Sequence, residues 1–218
     1  MTAADSGAES LVIAIDGPAG AGKSTVGREV ARRLGLEYLD TGAMYRAVTF
    51  AALRRGLDPT DDDAVAEMVG DVAMEIDDRG VVVDGVDATV EIRGRDVTAA
   101  VSAIAANSAV RRDLVARQRA WAAARGGGVI EGRDIGSVVF PDAALKLYVT
   151  ASPRVRAERR VAEIGGDVDE VEASIIERDR KDSSRADSPL TDAHGPTVVD
   201  TTGLSIDEVV EHIVGELR

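Results

Sequence analysis

Eight consecutive residues of this sequence have a clear capacity for chemistry: Gly17, Pro18, Ala19, Gly20, Ala21, Gly22, Lys23 and Ser24. They fit the pattern of a glycine, four free positions, then Gly-Lys-Ser or Gly-Lys-Thr. Glycines there let successive backbone N–H groups turn inward on phosphate oxygens, and a helix beginning just beyond adds its positive end. Lys23 would reach the outer phosphates of a nucleotide, the Ser24 hydroxyl would ligate magnesium, and Thr25 beside it would join the nucleotide-binding loop. A glycine-rich turn with no ligand is the plain alternative. The flanks oppose it, because Leu11–Asp16 (LVIAID) reads as a buried strand and Ser24–Leu34 as a helix stopped by Gly35.

Arginine is the second chemical signal. Of 26 basic residues, 23 are Arg and three are Lys (Lys23, Lys146 and Lys181). Arg suits bidentate recognition of phosphate and carboxylate, although a chain this rich in Ala, Gly, Val and Asp carries many Arg residues by composition alone. Position must therefore select the functional ones. Arg46 falls near the first turn of a helix expected over 43–55, where a cation opposes the helix dipole and an anion would repair it. Arg133 and Asp134 sit in a glycine-flanked loop, Gly132 to Gly136, and could simply pair with each other there. Most of the charged run 154–185 reads as a solvated helix face, with Arg156, Arg159 and Arg160 as candidate contacts. The two histidines, His194 and His212, fall in no motif and read as surface residues.

These residues need a scaffold. Past the strand and helix around the glycine loop, a helix over 43–55 closes at Gly56, ahead of the breaker Asp58-Pro59. Thr60 with Asp61, Asp62 and Asp63 caps a short helix to Val69. Short β-like runs at 72–77, 81–83 and 86–92, split by turn signals, predict a small antiparallel meander inserted into a larger chain. Helices follow near 98–106 and 110–125, then core strands at 129–130 and 145–149. Ser152-Pro153 starts an Arg- and Glu-rich helical region broken at Gly165-Gly166. A strand at 197–200 and a helix capped by Ser205 and running to Leu217 complete the pattern. Strands alternating with helices predict a three-layer α/β fold around a mostly parallel sheet.

Composition narrows the class. The chain has 218 residues, 44% apolar and 30% charged, as an ordinary globular domain does. The longest run of large apolar residues, 11–15, is far below the roughly 20 needed to span a bilayer. Residues 1–10 carry no basic or apolar stretch and read as a flexible tail without a secretory signal. The absence of cysteine excludes disulfides, thiolate zinc sites and a thiol nucleophile. A net charge of −13 opposes binding to a nucleic-acid backbone. No Asn-Lys-x-Asp base-reading motif is present, and Asp77–Gly80 reads as a hairpin turn, which opposes a regulatory GTPase. No long apolar strand ending in Asp follows the glycine loop, which weakens a motor ATPase.

Three further segments, Leu39–Arg46 (LDTGAMYR), Glu131–Asp142 (EGRDIGSVVFPD) and Glu177–Arg185 (ERDRKDSSR), resemble bacterial cytidylate kinases. The resemblance runs from Leu11 onward and includes the place of the meander. It implies an adenylate-kinase-like P-loop fold in one domain over 11–218, with a monophosphate-binding insertion at about 58–96 and a lid at about 153–185. The implied reaction moves the terminal phosphate of ATP, with Mg2+, onto CMP or dCMP in pyrimidine nucleotide metabolism. By the same correspondence Arg46 and Arg133, with Thr41, hold the acceptor phosphate, and Ser102, Arg111 and Asp134 read the cytosine edge. Arg178, Asp182 and Arg185 would serve the sugar and the transferring group, with Lys23, Arg133, Arg178 and Arg185 as the catalytic set. A cytoplasmic monomer with no membrane or nucleic-acid partner is expected. No general base is required, because the acceptor is already a phosphate with a second pKa near 6. A shikimate or gluconate kinase is one alternative, but those folds need neither the meander nor a base-reading acid beside Arg133; a non-catalytic nucleotide sensor is another, and the intact Lys23 and the Arg set oppose it.

Overall fold

The computed structural model describes residues 11–77, 79–183, 195 and 197–217. The expected tail, 1–10, lies outside them.

At its centre is a five-stranded, wholly parallel sheet in the order β2-β6-β1-β7-β8. These strands are β1 (Leu11–Asp16), β2 (Tyr38–Asp40), β6 (Gly127–Gly132), β7 (Leu145–Thr150) and β8 (Thr197–Asp200). Alternate residues of β1 point to opposite faces. Val12 and Ala14 join a core with α2 (Thr41–Arg54), α3 (Asp62–Val69) and α5 (Ser108–Arg125). Ile13 and Ile15 join the other core, with α1 (Lys23–Leu34) and α8 (Ile206–Gly215). Every β1 side chain from Val12 to Ile15 is thus buried, which is why the strand reads as a continuous apolar run. Three layers result, and the chain order reverses on either side of β1. In open parallel sheets ligands gather outside the carboxyl ends of the strands at such a reversal.

The meander is present as an antiparallel sheet of β3 (Met74–Asp77), β4 (Gly80–Val83) and β5 (Val86–Asp87). Pairing stops at Asp87, earlier than the expected 92, and the chain continues into a short helical turn, Glu91–Arg93. Val81 and Val83 face the first core, while Asp84 ties the sheet to α2 through Arg55 at 2.7 Å.

Several boundaries differ from expectation for identifiable reasons. α2 begins at Thr41, because the Asp40 carboxylate caps it by accepting from Ala43 N at 3.0 Å. β2 is an edge strand too short to show a period. Helix α4 (Arg95–Ala106) starts before residue 98, and α5 starts at Ser108, where Asn107 caps the Ala109 and Val110 amides. Two other helices, α6 (Pro153–Ile164) and α7 (Val168–Ser183), flank the expected break at Gly165-Gly166. The triple glycine does not merely end a helix: Gly127 and Gly128 open β6.

Gly127 shows why. Its φ is +122°, and a Cβ there would lie 2.2 Å from the Leu11 carbonyl oxygen of the neighbouring strand. Gly127→Ala should therefore cost about 3 kcal/mol through strain and forced strand separation. Urea unfolding checks this, and a midpoint unchanged from the parent would contradict the close approach.

Candidate active site

The glycine loop leaves β1 at its carboxyl end and delivers the chain into α1. Gly20 and Gly22 have φ of +75° and +88°, a region that side chains rarely adopt. A Cβ on Gly17 would fall 1.9 Å from the Val149 carbonyl oxygen. No side chain caps α1 and no acid stands in its first turn, so the amides of that turn are left for an anion. Carbonyls of the loop are tied outward: Ala19 O accepts from Arg156 at 3.1 Å, and Ala21 O from the Thr201 hydroxyl at 3.2 Å. Arg159 grips Thr201 in turn, through both its hydroxyl and its carbonyl at 3.1 Å. Arg156 and Arg159, read from sequence as candidate contacts, thus brace the loop from behind.

Lys23 is half-buried, its ammonium donating to Pro18 O at 2.9 Å. Burial, and then the facing Arg133, lower its pKa to about 8, against the pull of Glu131 and Asp40. Arg178, on α7, adds to the positive field at Lys23. The Ser24 hydroxyl donates to Glu131 Oε1 at 2.8 Å, while Thr25 is exposed.

Glu131 is the principal residue that sequence reasoning missed. It is the last residue but one of β6, the strand beside β1, opposite Ile15. Two glycines open the strand and Glu131-Gly132 closes it, so the apolar stretch is too short to stand out. The carboxylate is buried, and burial together with Asp40 holds its pKa above the usual range, while Lys23 and Ser24 oppose. Its Oε2 has no hydrogen-bond partner. The Tyr38 ring packs over Gly27, where a Cβ would lie 2.9 Å from Cε2. A buried acidic oxygen beside a hydroxyl at the mouth of a phosphate loop suits a hard cation such as magnesium. Among the described residues no group of three or more acids or histidines could hold a metal alone. Magnesium sharing phosphate oxygens needs fewer protein ligands.

A second cationic site lies nearby. Arg46 donates to Ile92 O at 2.9 Å and to the Thr98 hydroxyl at 3.0 Å. Its pKa falls to about 10, chiefly through burial and then through Arg93, Arg160 and Arg133. Because α2 begins at Thr41, Arg46 stands in the second turn rather than the first. The dipole argument for an anion weakens, and the field of three further guanidinium groups on Arg46 replaces it. Arg93 came from no sequence motif; it reaches the place through the turn after the meander, 3.7 Å from Asp40. Thr41 donates its hydroxyl proton to Glu131 O at 2.6 Å. Arg133 donates to Gly17 O, joining this region to the glycine loop.

Arg111 and Asp134 are brought together as a buried ion pair, each side chain under 10% exposed. The Arg111 guanidinium also lies 6.0 Å from the Tyr45 ring. Ser102 is half-buried on α4. Arg156 pairs with Asp179 of α7 at 2.7 Å. Asp182 falls in the last turn of α7; its side chain, Arg185 and His194 lie outside the described residues. His212 is exposed.

Asp16 was read only as the end of a strand. Its buried carboxylate accepts from Ile135 N and Gly136 N, both at 2.8 Å. Burial raises its pKa to about 6, with a further push from Asp134, although both backbone N–H groups and Lys23 lower it. A carboxyl whose pKa is raised by folding costs stability once ionised. Below about pH 4 the cost is absent, and it grows as pH rises to 6, reaching about 3 kcal/mol. Asp16→Asn removes that cost but leaves one buried N–H unpaired, at about 1–3 kcal/mol. The stability gap between variant and parent should therefore move about 1 kcal/mol in the variant's favour between pH 5 and pH 7.5. Urea titrations at both values measure it, and a gap independent of pH would mean that folding leaves Asp16 unperturbed.

The sequence model of the cytidylate kinase family matches residues 13–218. A cytidylate kinase of Rhodococcus opacus is 50% identical over 214 residues, covering 94% of this chain and 93% of its own. One from Mycobacterium leprae is 49% identical over 209 residues, with 94% of each chain covered. In three dimensions the chain is similar to a gluconokinase from Sinorhizobium meliloti, with a TM-score of 0.51 at 15% identity, covering 96% of this chain and 92% of that one. That likeness speaks for the fold alone.

Proposed function

The chain belongs to the cytidylate kinase family, and from that premise we propose how its residues move the terminal phosphoryl group of ATP onto CMP or dCMP. The products are ADP with CDP or dCDP. A phosphate oxygen of the acceptor forms a bond to the γ-phosphorus as the bond to the β–γ bridging oxygen breaks, leaving the electron pair on ADP. One observation carries the reading: the largely buried Arg46 lies in the field of Arg93, Arg160 and Arg133, and Arg133 also acts on Lys23 of the glycine loop while donating to Gly17 O. Two polyanions must meet in line, and such fixed cations offset their repulsion before the bond forms.

In this reading Gly17 to Thr25 cradle the donor phosphates, and Lys23 follows the transferring group. Arg133 stands between donor and acceptor, while Arg46 and Thr41 hold the acceptor phosphate. Ser24 and Glu131 are the residues that would hold Mg2+, which when bound neutralises phosphate charge. Neither proton removal nor a histidine is needed. Arg178, Asp182 and Arg185 complete the site from α7 and beyond, as part of a lid over about 153–185 that excludes water when closed. The insertion at about 58–96 carries Arg93 to the acceptor. The reading also includes a cytoplasmic monomer in pyrimidine nucleotide metabolism. No helix among the described residues is long and apolar enough to cross a membrane.

ADP release, followed with CMP, dCMP, UMP, AMP and shikimate in turn, tests the proposal. Fastest turnover is expected on CMP or dCMP; preference for shikimate would sink it.

Base choice gives a sharper test. Cytosine presents an amino donor where uracil presents a carbonyl acceptor, and a carboxylate only accepts. Arg111 fixes the Asp134 carboxylate by one oxygen. Asp134→Asn should narrow the CMP-over-UMP ratio of kcat/KM by about tenfold or more, chiefly by losing CMP activity. It should also destabilise the fold by roughly 3–5 kcal/mol, because Arg111 loses its buried counter-charge. Equal losses on both substrates would mean that the base is read elsewhere.

A further inference from the structure

We propose that Asp16 is a positioning residue that couples the donor loop to the base-reading turn, so that filling one site orders the other. The geometry is reciprocal. Asp16 and Gly17 are neighbours at the end of β1, where the donor loop begins. Asp16 receives the Ile135 and Gly136 amides at 2.8 Å, one on each carboxylate oxygen. Gly17 receives the Arg133 guanidinium on its carbonyl. Asp134 lies between these anchors, in a turn with φ −145° and ψ 24°, its side chain against Arg111. Any shift of Gly17 as phosphate enters the loop therefore pulls on residues 133, 135 and 136 together.

The residue type fits the task. Two separate N–H donors need two acceptor oxygens, and only a carboxylate supplies both; an amide sets its own NH2 against one of them. Keeping a buried charge where it costs stability is the pattern of a residue held for function. The mechanism above does not use Asp16 chemically, and the side chain touches no reacting atom.

The inference rests on the kinase reading, and the test separates the two. Calorimetry gives the affinity of CMP with and without a saturating β,γ-imido analogue of ATP. In the unmodified chain the analogue should tighten CMP binding about fivefold or more. In Asp16→Asn the factor should fall below about twofold, while each ligand still binds alone. A purely structural Asp16 would weaken binding or stability without changing that ratio. A factor that survives in the variant, or is close to one in the unmodified chain, overturns the coupling. Should Asp16→Asn fail to fold, hydrogen exchange on the unmodified chain decides: amides of 133–139 should gain protection with the analogue alone, and unchanged protection overturns the proposal. No CMP binding at all would overturn the kinase reading and the coupling with it.

Discussion

The parallel pairing of β1 with β6 is the constraint from which the site follows. Its register runs from Leu11 opposite Gly127 to Asp16 opposite Gly132. Both strands end at the same level, so the glycine loop leaving one and the Arg133 turn leaving the other emerge side by side. Ser24 can then reach Glu131, Arg133 can reach Gly17, and Asp16 can reach Ile135 and Gly136. Slippage by one residue would reverse every inward and outward side chain of β6. The glycines at 127 and 128 keep the register, since a Cβ on either meets a neighbour at under 3 Å.

Electrostatics then divides the molecule into two regimes. Over the surface, arginines are spent on nearby acids: Arg32 on Glu29, Arg33 on Glu29, Asp207 and Glu211, Arg154 on Asp169 and Glu172. Such exposed pairs contribute little each. Around Lys23 and Arg46 the pattern inverts: burial, and then neighbouring guanidinium groups, lower the proton affinity of these two side chains. Crowding cations there lowers stability in the absence of ligand and raises the gain when phosphate arrives, the arrangement that charge-driven phosphoryl transfer requires.

Legibility in the sequence followed the reach of each interaction. The glycine loop was plain because its function depends on adjacent residues, with a strand before it and a helix after. The meander was plain because turn residues punctuate it. Arg46, Arg111, Arg133 and Asp134 were reached through resemblance, and the Arg111–Asp134 pair joins positions 23 apart. Glu131 and Arg93 were missed because nothing local marks them: one acts through the strand beside it, the other through the end of an insertion. The same holds for Arg156 and Arg159, whose run of charge resembles any solvated helix until the fold sets it behind the loop. Helix starts were misjudged by two or three residues where Asp40, Asn107 and a bare Gly94 set the boundary.

Buried acids complete the logic. Asp16 and Glu131 both lie at the carboxyl end of the sheet, both are under 10% exposed, and burial raises the pKa of each. An apolar side chain at either place would pack at less cost. Their partners explain their presence: backbone amides of the turn after Arg133 for Asp16, and the Ser24 hydroxyl of the glycine loop for Glu131. Each acid therefore stitches one anion site to the element that carries the other. Local rules of stability are broken at the sheet end where two phosphates must be held at a fixed separation, and they are kept nearly everywhere else.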